Sequence, residues 1–426
     1  MADIVATKSE AMAFHTLDSS DGRLPSSVKP LNYDVTFDLD LERLTFSGTV
    51  IIDLVVLQDT HSISLHSLDL QLHKVSLELK NHTPIQPESI ETDKAAETVT
   101  FSFSKTLPAK SSALLTIDFE GILGERTNGL YRAKYVGRNG KVKYGAATQF
   151  QATDARRAFP CFDEPALKAT FDVTIVADSN LVALSNMDVK STSSYIMAED
   201  KEKQVVKFNT TPIMSSYLLA LTVAELNFAE NKDFRIPIRV YTTPDKQVEQ
   251  CQYSADLTAE FFKFFEEKFQ IEYPLPKIDL VGLADKQGAM ENYGLILYQE
   301  TAVLFDETKT SSRNKALIAS VVAHEEGHQW FGDLVTMSWW EGLWLNESFA
   351  TWSSDLALNA LYPKWQVWTG LACTTLQQAL TTDSLHASHP IEVKVKTSAD
   401  IGQVFDAISY QKGGSVLRYV LQSQMT

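Results

Sequence analysis

Residues 321–352 read VVAHEEGHQWFGDLVTMSWWEGLWLNESFATW, and two histidines in that stretch, His324 and His328, stand four positions apart. On a helix, residues i and i+4 lie one turn apart on one face, so both imidazoles can reach a single ion. Leu317 and Val321 precede them at helical spacing, so the histidines are expected to continue an inward apolar stripe. Glu325 is turned by about 100° from His324, beside that face, where a base acting on a metal-held water has to stand. A catalytic metal takes three protein ligands and leaves one position open. Glu347, with eighteen residues between it and His328, can supply the third ligand from the next helix. The same letters also allow two buried histidines donating to carbonyls, a solvated Glu325, and a Glu347 favoured near a helix N-terminus by the dipole. H-E-x-x-H alone does not separate these readings; the spaced glutamate favours the metal.

Outward from this stretch the period is helical. Thr310, Ser311 and Ser312 are candidate caps for a helix running to about Trp330, and another is expected from near Trp344. Upstream, SADLTAEFFKFFEEKF puts Leu257, Phe261, Phe264 and Phe265 on one face, and YPLPKIDLVGL then breaks the helix and enters a strand. Before residue 236 the period changes to two. Tyr33, Val35, Phe37, Leu39 and Leu41 alternate with polar residues, and the pattern returns at Leu68-Leu70-Leu72, Val75-Leu77-Leu79 and Val99-Phe101-Phe103. Residues 27–235 are therefore read as an antiparallel β domain with one packed face, residues 80–98 as a loop within it, and residues 1–26 as a loose tail. The fold class is α+β: a β domain followed by a largely helical domain over residues 236–426.

The 426 residues exceed one ordinary core and predict more than one domain. A net charge of −16, from 54 acidic and 38 basic residues, excludes a nucleic-acid backbone as partner and suits cationic groups such as a peptide amine. Cys161, Cys251 and Cys373 are odd in number and far apart, with no C-x-x-C, which predicts a reducing compartment. With no apolar signal segment and no run long enough to span a membrane, the expected location is cytoplasmic, without membrane insertion. The glycosylation triplets at Asn81, Asn209 and Asn346 are then chance matches.

Three further segments carry a resemblance. QGAMENYGLILYQE holds Gly288-Ala289-Met290-Glu291-Asn292, FDAISYQKGGSVLRYV holds Tyr410 with Lys412-Gly413, and residues 147–173 read ATQFQATDARRAFPCFDEPALKATFDV. From about residue 27 to its last residue the chain resembles the zinc aminopeptidases of the gluzincin clan, the alanyl and puromycin-sensitive type, with H-E-x-x-H-x18-E and G-A-M-E-N signatures. The resemblance implies a saddle-like β domain and a thermolysin-like catalytic domain. It also implies one zinc ion per chain on His324, His328 and Glu347, which lowers the pKa of water and polarises a carbonyl. Glu325 would be the general base, Tyr410 the donor to the oxyanion, and Glu291 the partner of the substrate's α-ammonium, so that peptides with a free N-terminus are the substrates. Gly288 and Ala289 would bind the peptide in strand-like fashion with Met290 and Asn292 beside them, and Gln149 and Gln151 would line the first-residue pocket. Many relatives carry glutamate at position 151.

The chain departs from the family at several places. Glu326 and Gly327 replace leucine and alanine, Ser348 replaces glycine, Tyr293 replaces tryptophan, and GLADKQ precedes G-A-M-E-N where relatives carry an apolar residue near the aspartate. Glu326 points about 200° away from His324, costly if that side is buried and harmless if open. Gly327 costs about 1 kcal/mol relative to alanine. The family's C-terminal β-sandwich and helical domains are absent from these 426 residues. That leaves a second reading, a weakly active or inactive zinc- or peptide-binding remnant. An epoxide hydrolase of the same clan is disfavoured by Ala289, where those relatives have glycine.

Overall fold

The computed structural model describes residues 22–80, 82–196 and 202–424, so the expectation for residues 1–21 and the triplet at Asn81 lie outside the described residues. The alternating segments form strands because one set of side chains can be buried while the other meets solvent. In the strand Val28–Asp40, Tyr33, Val35, Phe37 and Leu39 are buried. They face a cluster in which Tyr33 stacks on Phe171 and Phe37 meets the edges of Phe119 and Phe159, each ring stabilising by about 1.5–3 kcal/mol through burial.

The largest sheet has the strand order Val189–Ile196, Glu202–Phe208, Thr170–Asp178, Val28–Asp40, Thr45–Val56, Ser112–Ile122, Gln71–Leu79. Its pairs are antiparallel except one: Val28–Asp40 runs parallel to Thr170–Asp178. A three-stranded sheet includes Ser89–Asp93, paired to Thr98–Leu107, inside the segment read from sequence as a loop. Leu68 and Leu70 precede the strand Gln71–Leu79 rather than belonging to one. The end of the expected tail is docked: Leu24 N and Arg23 Nε both donate to Glu164 at 2.6 Å.

A five-stranded sheet orders Asn227–Asn231, Ile238–Thr242, Ile278–Leu283, Leu295–Gln299 and Ala289–Met290. Residues 227–231, counted with the β domain in the sequence reading, pair here with Ile238–Thr242 and through it with Ile278–Leu283. Against this sheet pack helices α1 (Gln252–Phe269) and α2 (Ser312–His328), and α3 (Trp344–Leu361) packs on α2. Ser311 is the cap of α2, its Oγ accepting from Asn314 N at 3.2 Å. Asn186 joins the four-stranded sheet of the first half to the loop after Met290, donating to Leu218 O and Tyr293 O at 2.7 and 2.9 Å. Among the described residues no helix is long and apolar enough to cross a membrane.

Candidate metal centre and substrate cleft

Helix α2 does not sit as its apolar stripe predicts. Leu317 is 55% exposed and Val321 is half-buried, whereas Ile318, Ala319, Val322 and Glu326 are buried. The core face is thus offset by one residue, and the Leu317–Val321–His324–His328 row runs from an exposed Leu317 to a buried His328. The period alone therefore does not fix which of two neighbouring rows is the more deeply buried.

The histidines nevertheless meet. His324 Nε2 and His328 Nε2 are 3.1 Å apart, and Glu347 Oε2 lies 3.4 and 3.2 Å from them. Bonds of about 2.0–2.1 Å to a tetrahedral ion place its ligands about 3.3 Å apart, so the three atoms fit one face of such a coordination shell. His328 Nδ1 lies 2.9 Å from the Phe331 carbonyl, which fixes its tautomer and turns Nε2 to the centre. Glu347 reaches the site because α3 packs along α2 and places its first turn over the second histidine.

The charges are arranged unequally. Burial works against an ionised Glu347, but His328 and hydrogen bonds from both imidazoles draw it down to about 2. Burial likewise opposes the His328 cation, yet Glu347 and Glu291 hold it well above its ordinary value. His324 is lowered by burial. Glu325 is 6% exposed with Oε2 unpartnered, and burial pushes it up to about 8 against the attraction of His328. A divalent cation at the triad, in place of the His328 proton, would favour its ionised form.

The G-A-M-E-N loop closes the other side. Gly288 has φ of +62°, and its carbonyl accepts from Gln299 N at 2.7 Å. Ala289 and Met290 then pair antiparallel with Tyr298 and Leu297. Glu291 is buried, and its Oε1 accepts from Gln151 Nε2 at 2.8 Å. Gln149 Nε2 reaches Met290 Sδ at 3.4 Å. Asn292 is wholly buried, its amide donating to Leu295 O at 3.2 Å within the loop. Tyr410 is half-buried on a π-helical turn, Ile408–Lys412, with its ring nearly parallel to that of His324 at 6.0 Å between centroids. Such turns recur at functional sites because they re-aim one side chain.

Comparison with known sequences identifies the family. The model "Peptidase M1 N-terminal domain" matches residues 29–218 and "Peptidase family M1 domain" matches residues 253–425. The chain belongs to peptidase family M1. It is 47% identical to "Aminopeptidase 2, mitochondrial" of Saccharomyces cerevisiae over 93% of this chain and 41% of the relative. It is 42% identical to "Aminopeptidase M1" of Arabidopsis thaliana over 95% and 45%, and 40% identical to "Puromycin-sensitive aminopeptidase" of Caenorhabditis elegans over 93% and 42%. The chain thus spans less than half the length of these curated relatives.

Several features of this M1 chain escaped the sequence reading. Gln329 clasps the loop to α2, donating to Glu291 O at 3.0 Å and accepting from Gly294 N at 3.2 Å; its position directly after the second histidine was the available signal. Ser348 Oγ donates to Ser409 O at 2.6 Å and so ties α3 to the turn that carries Tyr410. Glu326 is fully buried. Its Oε1 accepts from Thr258 Oγ1 on α1 at 2.9 Å, Oε2 is unpartnered, and burial raises its pKa well above the ordinary value. Of the two cases open in the sequence, the costly one holds.

Proposed function

We propose that this chain is a zinc metallo-aminopeptidase that removes the first residue of peptides bearing a free N-terminus. The observation that carries the reading is the His324–His328–Glu347 triangle, 3.1–3.4 Å on each edge, accompanied by two further buried carboxyls, Glu325 beside His324 in the helix and Glu291 on the loop that Gln329 clasps to it. When bound to the triangle, zinc supplies a Lewis acid that polarises the scissile carbonyl and makes water nucleophilic near neutral pH. Glu325 accepts the proton of the attacking water and delivers it to the departing amine. Tyr410 donates its hydroxyl proton as a hydrogen bond to the oxygen on which charge develops. Glu291 receives the α-ammonium, a group that an internal peptide bond does not offer, so cleavage falls after the first residue. The backbone of Gly288 and Ala289 pairs with the substrate as a strand, Met290 and Gln149 lie along the first side chain, and Gln151 orients Glu291. Asn292 acts as a positioning residue. The three cysteines are unpaired, two of them buried, which supports a reducing, cytoplasmic setting.

Release of a chromogenic amine from alanyl, leucyl and arginyl anilides tests this, with and without a chelator. The expected result is chelator-sensitive release, lowered at least about a thousandfold by Glu325→Gln. Equal rates in variant and parent would remove Glu325 from its role. A parent that binds zinc stoichiometrically yet releases nothing would leave the remnant reading in its place.

A further inference from the structure

Lys286 stands two residues before Gly288, in the turn between the strands Ile278–Leu283 and Ala289–Met290. A lysine there would ordinarily extend into solvent. This one is 3% exposed. Its Nζ donates to the Gln287 carbonyl at 3.0 Å, a neutral acceptor, which leaves the ammonium without a carboxylate in direct contact among the described residues. The charges that act on it are Glu325 and Glu291, the two carboxyls of the cleft, and burial outweighs them to bring its pKa to about 8. The cation is thus buried in the loop that leads to Glu291, the carboxylate that has to receive another cation, the amine of the substrate.

The neighbouring position reinforces the effect. Gln151 occupies Glu291 Oε1 with a neutral amide, so Glu291 is the carboxylate left to attract the amine, and Lys286 already offsets part of its charge. We propose that Lys286 is an internal cation of the amine subsite, repelling the α-ammonium of an incoming peptide and setting how weakly the first residue is held. The inference rests on the aminopeptidase reading and deepens it. Two positive charges on one buried carboxylate, separated by more than a direct contact, alter affinity on the order of tenfold at the effective dielectric of such sites.

Calorimetric binding of L-leucinol, an amine with no bond to cleave, to the zinc-loaded chain at neutral pH reads this directly. Lys286→Met should tighten leucinol about tenfold, while Lys286→Arg, which keeps the charge, stays within about twofold of the parent. N-acetyl-leucinol, which carries no ammonium, should respond to neither change. Unchanged or weaker leucinol binding in Lys286→Met overturns the proposal, as does equal tightening for the acetylated probe. Lys286→Gln, which keeps a donor for the Gln287 carbonyl, replaces the methionine variant if thermal melting shows the latter unfolded, with the same expected tightening. Hydrolysis of leucyl anilide by the parent is scored separately. Hydrolysis without the tightening removes the role of Lys286 alone, and tightening without hydrolysis removes the aminopeptidase reading alone.

Discussion

Helix α2 buries a carboxylate on each side, and the two fare differently. On the cleft side Glu347 reaches in from α3 and meets two imidazoles, which hold it ionised at about 2 despite burial. On the core side Glu326 meets one hydroxyl, that of Thr258, and is pushed well above the ordinary carboxylate range. Both are almost inaccessible, at 2% and 0% exposure. Burial is therefore not what distinguishes a ligand from a misfit in this helix pair. Compensation is: a carboxylate with cationic or metal partners is a working group, and one with half its lone pairs unmet is a stored cost.

The largest effect expected from breaking the compensated side is loss of the ion itself. Glu347→Ala leaves His324 and His328 with two donors where a catalytic site uses three. Bound zinc, measured by elemental analysis after dialysis, should fall from about one per chain to well under half, and anilide hydrolysis by at least about a thousandfold. Full zinc retention in this variant would mean that the triangle is an ordinary buried ion-paired cluster, and the contrast with Glu326 would vanish.

What the sequence disclosed follows the same division. The triad was legible because its geometry is set by covalent spacing: four residues put two imidazoles on one face, and the glutamate follows in the next helix. The strand Val28–Asp40 was legible because four consecutive alternate side chains, Tyr33 to Leu39, are buried. Ser89–Asp93 was not, since its only large apolar residue, Ile90, is 48% exposed and leaves no alternation. The stripe ending in His328 was legible only in part, since Leu317 is exposed at one end of it and His328 buried at the other. The contacts of Gln329 and Ser348 were hidden for a different reason. Each donates to a backbone carbonyl brought near by the fold, and carbonyls carry no sequence signature.

The uncompensated side gives a smaller and opposite effect. Glu326→Leu removes an unpartnered carboxyl and leaves one hydroxyl, so the variant should be more stable by about 1–3 kcal/mol in denaturant unfolding at neutral pH. The sign of its pH dependence follows from the raised pKa. A carboxyl that binds its proton more tightly in the folded chain costs nothing below its unfolded value, near 4.5, and destabilises progressively as pH rises above it. The gain from leucine should thus be small near pH 4 and grow toward neutrality. A gain that is flat with pH would show that packing, and not charge, governs the site.

The finest test of the comparison concerns the next residue. Gly327 faces α3: a Cβ built there would lie 2.4 Å from Ser353 Oγ, which itself donates to Ala350 O at 3.0 Å. Alanine is the better helix former by about 1 kcal/mol, so glycine here is explained by what it faces. Gly327→Ala alone should be neutral or destabilising by up to about 1 kcal/mol, because the serine hydroxyl must turn away from its carbonyl. In a Ser353→Ala background the obstacle is gone, and the same substitution should stabilise by up to about 1 kcal/mol. The sign change between the two backgrounds, read from the double-mutant cycle, assigns the cost of Gly327 to one side-chain oxygen on α3. No sign change would mean that Ser353 Oγ is not the obstacle, and that the fit of α2 on α3 is set by other contacts.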